Sequence, residues 1–474
     1  MSCRKDDYAK RQDRYNMMTG LPVHRLILKL AVPTIISMMV TALYNLVDAY
    51  FVGNISTGAT AGVGVALAFQ TFIQAIGFFF GAGSGNFISR ALGARQDKDA
   101  ERMAATGFFS SMIIGIIIAV LGLVFLSPLS ILLGATTEII PYSNSYLRFL
   151  LIATPFMISQ MVLNNQLRLQ GNARQAMIGL LAGAVLNIIL DPIFIFSLNL
   201  GVAGASIATC ISQIISWILL LWATTNKGNV HIKFSNFSPS IARLKEIVYG
   251  GLPSLSRQIL GSISSVMLNW AAAAYALPGH EASTIAAFAI VSRVMLFAMS
   301  LILGFGQGFQ PVCGFNWGAG LYNRVRQSYI FTIQASTFAL VIMSTLGFIF
   351  AQEIVTFFRS EDPELIAIGT RVLRWQCLGF PLVGLTTPTN MLLQNIRRTV
   401  SATLLAMSRQ GIFFLPAIII APRIWGLAGL EATMTIADAC TFLLALPMAI
   451  NIIKEMSWRN KNKMGNNSDY KNLH

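Results

Sequence analysis

The chain has 474 residues, of which 55% are hydrophobic and only 11% charged, and its mean hydropathy is +0.64. Soluble globular proteins carry about 25% charged residues, so a water-solvated fold is excluded; helix-length apolar runs without period-two alternation exclude an outer-membrane barrel. The formal net charge of +15 does not point to nucleic acid, because Lys and Arg collect between apolar runs and at both ends, as they do in cytoplasmic loops.

Residues 1–30 are charged, from Arg4 and Lys5 through Lys29. They read as a cytoplasmic tail leading into a retained helix, since a cleaved signal has a shorter basic lead. Twelve apolar spans follow, at roughly 31–52, 60–88, 104–128, 146–168, 176–198, 201–224, 248–276, 284–313, 328–351, 366–393, 400–421 and 426–453. The expected fold is an all-α polytopic membrane protein. The polar, basic stretch 226–246 separates an amino-terminal six-helix lobe (1–225) from a carboxy-terminal one (247–474) that ends in a tail from 454.

The first span carries Asn45 and, three residues later, Asp48 on the same helix face. The fifth carries Asn187 and, four residues later, Asp191, again on one face. Pro192 follows; it deletes a backbone hydrogen bond, frees the carbonyl of Ile188 and kinks the helix. An Asp at the centre of an inserted helix costs roughly 2.5–3.5 kcal/mol. Asp48 and Asp191, the acids deep in first-half spans, therefore read as functional rather than as local hydrogen-bond anchors. Two carboxylates, amide oxygens and a free carbonyl are hard ligands, suited to Na⁺ or to holding a proton; this Asp48/Asp191 site is the one metal-binding possibility. In the second half Arg257 and Arg293 lie in or near spans and Glu431 and Asp438 in the last; these four are expected to pair among themselves.

The second span ends in Gly81-Ala-Gly83-Ser-Gly85 and the eighth in Gly304-Phe-Gly306-Gln-Gly308. A dinucleotide fingerprint needs a preceding strand, so these glycines read as sites of close helix packing. They also begin a series of matches at a near-constant offset of about 225 residues. Leu92-Gly-Ala-Arg95 parallels Trp317-Gly-Ala-Gly320, Leu169-Gln170 parallels Leu393-Gln394, and Gly201-Val-Ala-Gly204 parallels Gly426-Leu-Ala-Gly429. Six spans per copy make the halves parallel repeats, an arrangement tied to alternating-access transport. Basic residues in the amino-terminal tail, the 90–102 loop, the linker, Arg324/Arg326, Arg397/Arg398 and the carboxy-terminal tail fall on one side, against Arg359 and Arg423 opposite. Both termini are expected in the cytoplasm of a bacterial inner-membrane protein. Cys3, Cys210, Cys313, Cys377 and Cys440 form no CxxC pair and histidines number four, so neither a disulfide framework nor a metal cluster is expected.

At Ala31-Val-Pro33, Tyr44-Asn-Leu-Val-Asp48, Asn187-Ile-Ile-Leu-Asp191-Pro192, Gly201-Val-Ala-Gly204 and Gly306-Gln-Gly308-Phe-Gln310-Pro311 the chain resembles the multidrug and toxic compound extrusion (MATE) family. The resemblance spans about Leu21 to Ile453. It implies two six-helix lobes and export of organic cations and drugs in exchange for H⁺ or Na⁺, with no cofactor and no enzymatic chemistry. It maps a cation network onto Asp48, Asn187, Asp191 and Thr209, joined by a fourth-span asparagine, Asn164 or Asn165. One branch of the family has acids in the seventh and tenth helices. This chain has Arg257 and Gln258, then Trp375 and Gln376, there, and fits the branch whose coupling rests on the first lobe. A flippase for a lipid-linked precursor is the alternative. A monomer in the lipid bilayer is expected.

Overall fold

The computed structural model describes the backbone of residues 2–53, 55, 57–276, 279–359 and 362–471; the described side chains exclude 2–5, 45–46, 48–50, 52–53, 57 and 463–471. The first half holds α1 (Ser2–Gly20), α2 (Val23–Gly53), α3 (Thr57–Gly93), α4 (Asp97–Val124), α5 (Leu126–Leu132), α6 (Ile140–Leu169), α7 (Ala173–Pro192) and α8 (Gly201–Thr224). The second holds α9 (Ile241–Ala274), α10 (Glu281–Gly318), α11 (Tyr322–Ile349), α12 (Ala351–Phe358), α13 (Pro363–Gly379), α14 (Val383–Asn395), α15 (Thr399–Met407) and α16 (Phe414–Lys471). All regular structure among the described residues is helical.

Among the described residues, nine stretches are long and apolar enough to cross a membrane. The last of them, Thr399–Asn462, is two crossings, because Gly426 breaks α16 at φ 58°, ψ −138°. The 34-residue α9 is another, and α13 with α14, joined by one 3₁₀ turn at Phe380–Leu382, is the last. Twelve membrane helices result, as two parallel six-helix repeats. Large apolar residues such as Val120, Ile218, Val266, Phe338 and Leu443 are exposed, an outer surface that hydrocarbon solvates and water would not.

The matched motifs now have physical reasons. Gly201 (φ 54°) and Gly426 (φ 58°) both take a positive φ where the fifth span of each half turns into the sixth, backbone that costs a residue with a side chain about 1–3 kcal/mol. Arg95 (φ 59°) and Gly320 (φ 69°) end α3 and α10 in the same way. The glycine runs also play matching parts. Gly81 and Gly85 of α3 lie against Asn165 and Leu169 of α6, while Gly83 lies against α9 at Ile247. Gly306 of α10 lies against Met391 of α14, while Gly304 and Gly308 lie against Ile35 and Ala31 of α2. Each run thus packs its own half with some glycines and the opposite half with others. A Cβ on Gly308 would stand 2.5 Å from the Cα of Ala31, and backbone cannot yield there. Gly308→Val is expected to lower stability by about 1–3 kcal/mol through overpacking, read as a fall in the thermal unfolding midpoint in detergent; an unchanged midpoint would contradict this packing.

Most of the amino-terminal segment expected to be a cytoplasmic tail folds as a helix, α1. Asp7 and Arg11 pair one turn apart at 3.3 Å, Arg11 reaches Glu101 of α4 at 2.9 Å, and Met18 is fully buried. Ion pairs hold most of it, so no apolar run announced it. Burial pushes the neighbouring Arg14 guanidinium down to about 10, which still leaves it charged at neutral pH. At the other end the segment after 454 continues α16 as helix.

Candidate functional site

Asn187, Asp191 and Thr209 meet between α7 and α8, each at most 3% exposed. The Asn187 amide donates to Asp191 Oδ1 at 3.1 Å and to Thr209 Oγ1 at 3.4 Å. Asn187 Oδ1 is buried with no hydrogen-bond partner among the described residues. An orphaned oxygen beside a buried carboxylate is an acceptor-rich cluster, which a cation or a carboxyl proton would satisfy. Asn187 also lines a cavity of about 90 Å³ with Tyr44, Gln70, Gln74 and Gln213. Asp48 follows Tyr44 by one turn on α2, and its side chain lies outside the described residues.

Pro192 closes α7 (φ −63°), and Ile193–Ser197 continue as a π turn in which the Leu198 amide donates to Ile193 at 2.9 Å. Proline's missing N–H interrupts the i to i−4 ladder at Ile188, and the wider turn begins directly after it. The fifth span of the second half has a π turn too, at Ser408–Ile412. Such turns recur at functional sites, and here one follows Asp191 while the other contains Arg409.

The fourth-span asparagines make other bonds. Asn165 donates to the Met161 carbonyl at 2.8 Å and accepts from Arg168 Nη2 at 2.6 Å. Arg168, 4% exposed, then donates to Gln310 Oε1 at 2.8 Å and to the Gln307 carbonyl at 2.9 Å, tying α6 to α10. Asn164 donates to the Ala176 carbonyl at 3.0 Å and ties α6 to α7. Neither asparagine is hydrogen-bonded to Asn187 or Thr209.

The pairing expected in the second half is different in detail. Glu431 takes Arg371 at 2.9 Å and Asp438 takes Arg409 at 2.5 Å; Arg257 and Arg293 take neither acid. Glu431 and Asp438 stand two turns apart on one face of α16, which faces α13 and the π turn, and the nearer arginines belong to those elements. Beside them lies a cavity of about 370 Å³. Arg168, Arg371 and Arg409 are harder to single out in the sequence, because arginine there serves mainly as a mark of membrane orientation. The detectable signal is the same one that exposed the acids: a charge inside an apolar run.

The two halves meet on the side of the basic loops. Arg90 of α3 donates to the Asn395 carbonyl at 2.5 Å and to Glu246 at 3.3 Å; Glu246 also binds Arg397 at 2.5 Å. Within the second half, Gln394 of α14 donates to the Gly250 carbonyl and to Ser254 of α9. Glu246 is partly buried between Arg90 and Arg397, so Glu246→Gln, which removes its charge, is expected to loosen this closure. A cysteine placed at the buried Ser89 in a cysteine-depleted chain should then react at least about ten-fold faster. Unchanged labelling would remove Glu246 from the closure.

A family model described as MatE matches residues 33–193 and 253–419. The multidrug export protein MepA of Staphylococcus haemolyticus (strain JCSC1435) is 27% identical over 426 residues, covering 89% of this chain and 92% of that one. MepA of Staphylococcus aureus (strain NCTC 8325 / PS 47) is 26% identical over 427 residues, covering 90% and 93%. The outward-facing structure of a multidrug resistance MATE family transporter of the MOP superfamily matches with a TM-score of 0.87 at 26% identity, over 93% of this chain and 98% of that one.

Proposed function

The chain belongs to the MatE family, and on that premise we propose that it is a multidrug exporter driven by exchange, taking organic, mainly cationic, compounds out of the cell as H⁺ or Na⁺ enters. It is a transporter and no enzyme. The MepA relatives carry multidrug export in their names, and this reading extends that activity to the present chain. The six-helix units 1–225 and 247–474 are the two rocking lobes, joined by the 226–246 linker, with both termini in the cytoplasm.

The observation that carries the coupling is Asp191, fully buried at the end of α7 with Asn187 donating to it and Thr209 beside them. A buried carboxylate is stable when a proton or a cation neutralises it, and it does work only when its affinity differs between inward and outward states. Asp48 and one fourth-span asparagine complete the site in this reading. Asn165 joins it only if Arg168 releases it as the lobes separate; in the present state that guanidinium holds it. The loss of regular helical bonding after Pro192 gives α7 a place to bend as the ion enters or leaves.

The test is efflux from cells that overproduce the chain after loading with ethidium. Efflux should stop when a protonophore collapses the proton gradient or an ionophore collapses the sodium gradient. Efflux that survives both treatments would rule out the exchange mechanism.

A further inference from the structure

The cavity of about 370 Å³ in the second half falls in the size range of small-molecule sites. Three charged side chains line it: Arg257, Arg409 and Glu431. Two of them are compensated, Arg409 by Asp438 and Glu431 by Arg371. Arg257, on α9, makes no hydrogen bond, ion pair or ring contact among the described residues. The lining therefore holds one uncompensated positive charge. Its neighbours include the neutral Gln258 and Gln376, and Phe288, Met295 and Phe414 supply an apolar wall.

From this charge balance we infer that the second-half cavity binds the carboxylate of an amphipathic organic acid or zwitterion, and that Arg257 is the residue that recognises it. A guanidinium presents a planar fork of donors that matches a carboxylate with two parallel hydrogen bonds. Flexible methionine and the aromatic rings accept varied apolar bodies, while the charge repels a molecule that is purely cationic. The chain then has two subsites of opposite polarity. Acceptors around Asp191 serve cations in the first half, and the donor Arg257 serves acids in the second. This rests on the export reading for its purpose, although the binding it predicts needs no gradient.

The test uses a matched pair of fluorescent probes, a rhodamine methyl ester and its free acid, bound to the purified full-length protein and followed by fluorescence anisotropy. Arg257→Gln should weaken the free acid at least about ten-fold and move the ester by less than about two-fold. Arg257→Lys, which keeps the charge, should recover most of the affinity for the acid. Retained binding of the ester shows that the variant is folded. No change in either probe, or an equal loss of both, would overturn the assignment. Gradient-driven export of the ester without Arg257-dependent binding of the acid would sink the acid site and leave the export reading standing. Arg257-dependent binding without any gradient-driven export would do the reverse.

Discussion

Asp191→Asn is expected to reduce drug resistance to the level of cells lacking the protein, with membrane expression unchanged. Asparagine has nearly the shape of aspartate, and its carbonyl can still accept the bond that Asn187 donates at 3.1 Å. What it cannot do is carry a charge that would bind Na⁺ or exchange a proton. A hundred-fold difference in ion affinity between two states biases them by about 2.7 kcal/mol, and neutralising the carboxylate removes that bias. Dose–response curves for a panel of organic cations, with immunoblots of the membrane fraction, check it. Full resistance in the variant would take Asp191 out of the mechanism.

The largest effect on stability is expected at Asp438. Its side chain is 3% exposed and bonds Arg409 Nε at 2.5 Å and Nη2 at 3.4 Å. Asp438→Ala strands a guanidinium in a site that is itself only 17% exposed, and breaking such a pair costs about 3–5 kcal/mol. Removing both charges costs far less, because the desolvation of each disappears with it. Arg409→Met with Asp438→Leu should therefore unfold close to the wild-type midpoint in detergent, well above Asp438→Ala. If the double variant is as unstable as the single one, the pair is not an isolated charge couple.

Much of this architecture was legible in the sequence for one reason: hydrocarbon forbids most choices. Apolar runs located the spans, and a lone carboxylate in such a run stood out by its cost, which is how Asp191 and Asn187 emerged. The repeats were legible because Gly201 and Gly426 share a positive φ that few other residues adopt. Features held by ion pairs rather than by burial were not legible. α1 carries its information in the spacing of Asp7 and Arg11 and in partners about ninety residues away. The choice of Arg371 and Arg409 as partners for Glu431 and Asp438 depends on which helices become neighbours. The same is true of Asn165, whose side-chain oxygen is taken by Arg168, itself anchored to α10.

The most direct measurement places the purified protein in liposomes loaded with ethidium, imposes a proton gradient and a sodium gradient in turn, and compares the wild type with Asp191→Asn. The account predicts ethidium movement that follows one of the two gradients in the wild type and is lost in the variant. Movement that ignores both gradients, or that survives in the variant, would contradict coupling through the first-half carboxylate.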